Sequence, residues 1–316
     1  MARSNTVGNG WGRCVVTDIR YSAADLTDLL NTHRPTDEQA RIIEAPLEGV
    51  YRVMAGAGSG KTETMALRVV WLVANGLVAP HEVLGLTFTR KAASELGSRI
   101  VERIRSLPDH TDSDELFQTP QVSTYNSFAS RLFQDYSVYL GIDSDQEVAG
   151  QAAAWALARR VVVHSDDPAL EQLDYSVDRL ATLTWQFAQA VSEHAVELEQ
   201  LADHAAAMAA LEELPLGGRY EYLSDMASIV GSQQLIPVLA RLVAQFREAK
   251  KSRGLVEYSD QVRLALDVAR STPDVAAQLR ANYKVVLLDE YQDTSVLQTE
   301  LLSTLFANHP VMSVGD

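Results

Sequence analysis

The stretch Ala55-Gly56-Ala57-Gly58-Ser59-Gly60-Lys61-Thr62 constrains this 316-residue chain more than any other. Residues 50–55 ahead of it read as a strand. Behind it, residues 62–73 place Met65, Ala66, Val69, Val70, Leu72 and Val73 on one face of a helix. A glycine-rich turn between a strand and a helix is the setting of a phosphate-binding loop. Its glycines let the backbone curl until its N–H groups converge on phosphate oxygens, and the helix N-terminus adds positive potential. In that reading Gly56, Ala57, Gly58, Ser59 and Gly60 form the cradle. Lys61 reaches the β- and γ-phosphates, and Thr62 offers its hydroxyl to Mg²⁺. The implied cofactors are ATP and Mg²⁺. Ala55 stands where the standard pattern has glycine, so the match is to a variant.

Such a loop needs a carboxylate at the end of a neighbouring strand, and the stretch 283–288, apolar from Val285 on, ends in Asp289-Glu290. Asp289 would hold Mg²⁺ through its water shell, and Glu290 would orient or deprotonate the attacking water. Strand-then-helix alternation surrounds both motifs. Residues 83–88 precede a helical pattern at 91–104, and 121–124 lead into a helix reaching Phe133. A helix at about 294–306 then precedes a last strand at 311–314. This alternation marks an α/β fold with a parallel sheet covered by helices.

Residues 143–251 break the pattern with Ala-rich helix, in which Ile236, Leu239, Leu242, Val243 and Phe246 recur at three-and-four spacing. The expected organisation is a partly disordered leader over 1–34 and a nucleotide-binding domain in two segments, 35–138 and 257–316. An all-helical insertion subdomain over 139–256 separates the segments. Thr36 is placed to cap a helix over 37–43.

The net charge of −15 is unexpected for a chain that handles nucleic acid, so its distribution matters. Between Arg90 and Arg105 five basic residues (Arg90, Lys91, Arg99, Arg103, Arg105) face two acidic ones, Glu95 and Glu102. That run reads equally as a phosphate-facing strip or a solvated helix face. The single cysteine, Cys14, excludes an intrachain disulfide, and the first residues lack the apolar core of a secretory signal. No apolar stretch approaches the roughly 20 residues that span a bilayer. A cytoplasmic location with no membrane association is expected. Trp155 and Trp185 read as packing, and the histidines show no metal-ligand spacing.

The motifs in order carry a resemblance. Asp289-Glu290-Tyr291-Gln292-Asp293-Thr294, with Gln298 a turn later, resembles the second motif of the UvrD/Rep group of superfamily 1A DNA helicases. The loop at 55–62 matches that group's form, and Thr36-Asp37-Glu38-Gln39 resembles its adenine-reading glutamine motif. Leu86-Thr87-Phe88-Thr89-Arg90-Lys91-Ala92-Ala93 and Thr124-Tyr125-Asn126-Ser127-Phe128 resemble its strand-contacting motifs. Tyr258-Ser259-Asp260 is a weaker match, and Val314-Gly315-Asp316 looks like the opening of the third motif.

The resemblance implies a RecA-like P-loop NTPase domain in a 3′-to-5′ ATP-dependent helicase that acts on single-stranded and duplex DNA in repair or recombination. A narrower likeness, to the motor subunits of Adn-type helicase–nucleases, implies a second helicase–nuclease subunit as partner. By resemblance Thr87, Phe88, Thr89, Arg90, Lys91, Thr124, Tyr125, Asn126 and Ser127 contact DNA, while Gln292 and Asp293 couple the γ-phosphate to the strand. Asn126 stands where the family usually has histidine.

Chemistry supports several of these roles. The Gln39 amide can pair with a donor and an acceptor on the adenine edge. Phe88 at a strand end can stack on an unpaired base for about 1–3 kcal/mol. A structural reading of Gln292 and Asp293 is a helix start, with Asp293 or Thr294 as N-cap. The resemblance also implies a second RecA-like lobe beyond Asp316 that supplies arginines. The 316 residues alone are therefore expected to bind ATP–Mg²⁺ weakly and not to unwind duplex. Two rivals are a P-loop ATPase outside the helicases, whose rate single-stranded DNA leaves unchanged, and a non-catalytic DNA-binding fragment.

Overall fold

The computed structural model describes residues 19–56, 58–108, 118–141, 147–210, 233 and 235–316. Ala57, Cys14 and most of the leader lie outside the described residues. Five parallel strands form the sheet: β1 (Val50–Met54), β2 (Val83–Thr87), β3 (Gln121–Thr124), β6 (Val285–Leu288) and β7 (Val311–Gly315), in the order β1-β7-β6-β2-β3. β6 lies at the centre, in register Val83↔Val285 with β2 and Val286↔Val311 with β7.

Strand alternation sends neighbouring residues to opposite faces, so a strand covered on both sides must be apolar throughout. β2 and β6 are buried at every position for this reason. Val83, Val285 and Leu287 join one core with α3 (Lys61–Ala74) and α4 (Arg90–Arg105). Leu84, Leu86, Val286 and Leu288 join the other, with α5 (Tyr125–Tyr136), α10 (Tyr258–Ser271), α11 (Pro273–Asn282) and α12 (Val296–Leu305).

The insertion holds α6 (Gln151–Val163), α7 (Val177–Glu193), α8 (Leu198–Ala209) and α9 (Ile236–Lys251), with Val243 and Phe246 fully buried. It is not purely helical: β4 (Glu147–Val148) pairs in parallel with β5 (Leu255–Val256), tying its two ends together. Strands of two residues carry no periodicity from which to read them. Where they meet, the Lys250 ammonium donates to Glu257 (2.7 Å) and Asp260 (2.6 Å), and the Trp185 indole donates to Glu257 (2.9 Å). Asp260, from the weaker motif match, is thus a structural ion partner.

The expected leader contains ordered structure from residue 19. α1 (Ala23–Leu29) starts at a Ser22/Asp25 capping box and buries Ala23 and Leu26 against the α3 side of the sheet. Asn75 Oδ1 accepts from the N–H groups of Arg20 (2.7 Å) and Tyr21 (2.9 Å), and the Trp71 indole donates to the Tyr21 carbonyl (2.8 Å). Covered by this segment and by α2 (Asp37–Ile43), α3 is buried from Thr64 to Leu72. Even Arg68 is buried there, donating to the carbonyls of Ile43 (2.7 Å), Ala45 and Pro46 (2.9 Å) and fixing the turn that enters β1. Burial lowers its guanidinium to about 10.

His309, in the turn before β7, is buried, and its Nε2–H donates to the Tyr283 carbonyl at 2.6 Å. Burial depresses its pKa below the ordinary 6.5, the Tyr283 bond opposes the shift, and Arg280 and Lys284 add to it. Folded His309 therefore binds fewer protons than unfolded His309. Its contribution to stability is complete above the unfolded pKa and declines as pH falls through the window below it. Stability measured by urea unfolding should drop between about pH 7 and about pH 5. His309→Gln should flatten that slope.

Candidate nucleotide and strand site

Every strand of the sheet delivers one element of the site at its C-terminal end, where ligands bind in open parallel sheets. The glycine loop follows β1, Phe88 follows β2, and Asn126 lies just past β3. Asp289 and Glu290 follow β6, and Asp316 follows β7. Because the strands are parallel, residues far apart in sequence converge without any long loop.

The loop folds as its glycines require. Gly58 (φ 78°) and Gly60 (φ 83°) are left-handed, and Gly60 is the N-cap of α3, which puts Lys61 and Thr62 in its first turn. Lys61 retains only 10% of its side-chain exposure; its ammonium contacts the Asp316 carboxylate and lies 3.9 Å from Glu290 Oε2. The Asp316 hydrogen bond first, then the charges of Glu290, Asp316 and Asp289, hold its pKa above the usual lysine value against partial desolvation. The ammonium is thus protonated and poised among three acids.

Asp289 is 4% exposed, and its Oδ1 has no hydrogen-bond partner. Burial, then the neighbouring Glu290 charge, push its carboxyl above the ordinary range. A buried carboxylate oxygen without a partner is costly unless a cation or donor meets it. Asp289 and the Thr62 hydroxyl are a donor set that suits Mg²⁺, which takes a few protein oxygens and fills its octahedron with water and phosphate.

Glu290 has a left-handed backbone (φ 50°, ψ 43°), and Gln292 donates to its carboxylate at 2.7 Å. The Gln292 side-chain oxygen Oε1 in turn accepts from Asp316 N–H at 3.3 Å. A Cβ added at Gly315 would meet that same oxygen, so a side chain there would displace the Gln292 amide. Asp293 closes the turn with its N–H on the Glu290 carbonyl (2.9 Å). The N-cap of α12 is Ser295, in a capping box with Gln298, rather than Asp293 or Thr294.

Gln39 docks on the loop. Its oxygen accepts from Thr36 N–H (3.0 Å) as half of a capping box, and its nitrogen donates to the Ser59 carbonyl (3.0 Å). One N–H and one lone pair remain. With Val53, Met54 and Lys61 it lines a cavity of about 270 Å³.

Of the residues expected at DNA, the structure brings some to the surface and withdraws others. Phe88 is 50% exposed and Asn126 is exposed; together they border two depressions. One, about 460 Å³, is lined by Arg90, Ser127, Ser130, Arg131 and Gln134 and by no acid. The other, about 580 Å³, opens toward the insertion and is lined by Trp185, Gln189, Glu193 and Asp293.

Thr87 is fully buried and its hydroxyl donates to the Thr89 carbonyl (3.2 Å), so its side chain shapes the turn that presents Phe88. Thr89 and Thr124 accept from Ala92 N–H and Ser127 N–H as N-caps of α4 and α5. Tyr125 is buried, and its hydroxyl donates to the Asp289 carbonyl at 2.8 Å, which replaces a surface contact by a link to the acids.

The basic run along α4 is divided. Arg99 (3.3 Å) and Arg103 pair with Glu63 of α3, Lys91 sits 3.8 Å from Glu95, and Arg105 is engaged elsewhere. Arg90 is the member that lines the acid-free depression. Sequence reasoning missed Ser130, Arg131 and Gln134. Their signal was spacing: positions three, four and seven beyond Ser127 lie on one face of α5.

Curated relatives match this chain at low identity. The chain is 26% identical over 275 residues to the ATP-dependent DNA helicase PcrA of Leuconostoc citreum, covering 87% of this chain and 31% of that protein. It is 27% identical to the ATP-dependent DNA helicase UvrD1 of Mycobacterium leprae (89% of this chain, 31% of that protein). With DNA helicase II of Haemophilus influenzae the identity is 23% (92% and 34%). The chain spans about a third of the length of these relatives. No described helix is long and apolar enough to cross a membrane. Residues 35–316 match the model of the UvrD/REP helicase N-terminal domain, and the chain belongs to that family.

Proposed function

We propose that this chain is the ATP- and strand-binding lobe of a DNA helicase that couples nucleotide hydrolysis to 3′-to-5′ movement along single-stranded DNA in repair or recombination. The observation that carries the proposal is the meeting of Lys61, Asp289 and Glu290 at the sheet end where Phe88 and Asn126 are exposed. The domain split at 139 and 256 is part of the same reading, with the β4–β5 pair as the insertion's stem.

In this reading Lys61 leaves Asp316 for the β- and γ-phosphates when a triphosphate enters, and the loop N–H groups cradle the same oxygens. Thr62 and Asp289 would hold Mg²⁺, which supplies charge neutralisation to the transferring phosphoryl group. Glu290 accepts a proton from the attacking water, and Gln292 keeps its carboxylate turned toward Lys61. Gln39 meets the adenine edge with its remaining N–H and lone pair.

The polarity of the two depressions beside Phe88 sets the strand's orientation. Phosphates suit the side of Arg90 and Arg131, where no acid repels them; a base suits the side of Trp185, Gln189 and Glu193, where acids exclude phosphate. Phe88 stacks between.

The test is the affinity for a single-stranded oligonucleotide and the ATPase rate it stimulates, in the full-length protein. Phe88→Ala should weaken oligonucleotide binding by about 5- to 150-fold, the range of one lost base stack. ATP affinity without oligonucleotide should stay unchanged. An ATPase rate indifferent to single-stranded DNA in the parent protein would sink the helicase reading in favour of a P-loop ATPase of another kind.

A further inference from the structure

We infer that Tyr125 is a positioning residue for the hydrolytic acids: its hydroxyl fixes the Asp289–Glu290 peptide and connects Glu290 to the surface that binds the strand. This rests on the function proposed above and names a device within that site.

Glu290 is a non-glycine residue in left-handed backbone, a conformation that costs on the order of 1 kcal/mol or more and persists only where its surroundings over-determine it. Three bonds do so. The Tyr125 hydroxyl holds the Asp289 carbonyl at 2.8 Å, the Asp293 N–H holds the Glu290 carbonyl at 2.9 Å, and the Gln292 amide holds the Glu290 carboxylate at 2.7 Å. The last two are local to the turn. Tyr125 alone comes from another element, the first turn of α5, and its hydroxyl is the only donor to the Asp289 carbonyl among the described residues. Releasing that carbonyl frees the peptide plane to rotate and lets Glu290 relax out of its left-handed state.

The adjacent residue gives the connection its direction. Asn126 is exposed, borders both depressions beside Phe88, and accepts from Gln298 of α12 at 2.8 Å. A strand that pulls on Asn126 displaces the first turn of α5, and that displacement reaches Glu290 through the phenol.

Tyr125→Phe removes one oxygen and leaves the ring in place, so it isolates the bond. In the full-length protein we expect kcat for ATP to fall about tenfold with and without a single-stranded oligonucleotide, with KM and oligonucleotide affinity within about twofold of the parent. The half-saturating Mn²⁺ concentration for nucleotide binding, read by electron paramagnetic resonance, should rise at least about threefold as the Asp289 carbonyl loses its anchor.

An unchanged kcat overturns the proposal. So does a loss confined to oligonucleotide affinity, which would make Tyr125 a direct contact. A lower melting temperature with kcat and KM moving together, or failure to fold, assigns the hydroxyl to stability alone and overturns it too. If the parent hydrolyses ATP without stimulation by DNA, the helicase reading fails on its own, while the basal kcat and the Mn²⁺ titration still decide the role of Tyr125.

Discussion

Glu290→Gln should reduce ATP hydrolysis by about 10²- to 10⁴-fold while leaving ATP affinity intact. The amide keeps the size and the reach of the carboxylate but cannot accept the proton of the attacking water. The surroundings predict that the substituted side chain stays in place. Gln292 donates to Glu290 Oε2, and the amide oxygen of a glutamine accepts that bond equally well. Lys61, at 3.9 Å, loses one of three nearby negative charges and so binds phosphate no worse. The effect therefore belongs in kcat, with a flat KM, and single-turnover hydrolysis beside a filter-binding or fluorescent-nucleotide titration separates the two. Equal losses in rate and affinity would mean that Glu290 holds the nucleotide, and the assignment of the water-activating role would be wrong.

The parts legible in the sequence were those whose physics is local. A strand buried on both faces must be apolar, so 283–288, apolar from Val285 on, reads as a central strand and 83–88 as a β-rich neighbour, and the observed strands Val285–Leu288 and Val83–Thr87 lie inside them. The glycines ahead of Lys61 are a local signal of the same kind, and Gly58 and Gly60 do adopt left-handed backbone. The Ser22/Asp25 capping box was equally local, yet a helix of seven residues with a single leucine pair gives no periodicity, and α1 went unread.

The contacts that sequence could not supply cross between elements. Arg99 and Arg103 point at Glu63 because α3 and α4 pack on the same face of the sheet, and nothing in the run from Arg90 to Arg105 says which arginines face inward. Thr87 and Tyr125 stand in motifs where hydroxyls touch ligand by resemblance, but a strand end one position too deep buries the first and the entry of α5 turns the second toward Asp289. The left-handed state of Glu290 is a further case: it is set by three partners from outside the residue, and local propensity disfavours it.

Lys61→Ala should weaken ATP binding by about 100-fold and abolish hydrolysis, since it deletes a charge-assisted contact to the phosphates that no neighbour can replace. The ammonium sits with Asp316, Glu290 and Asp289, so its loss leaves those three acids facing one another and the incoming phosphates. Repulsion then adds to the missing attraction. Arg99 and Arg103 are both engaged by Glu63 of the same helix as Lys61. Lys61→Arg separates charge from shape. It restores the positive charge, but its planar fork does not fit a cradle built for a compact ammonium in the first turn of α3, so binding should recover in part and hydrolysis should not. Isothermal titration with ATP and with ADP supplies the check. The β-phosphate is common to both, so Lys61→Ala should weaken both, ATP more than ADP. An alanine variant that binds ATP with the parent's affinity would place the triphosphate somewhere other than the turn between β1 and α3.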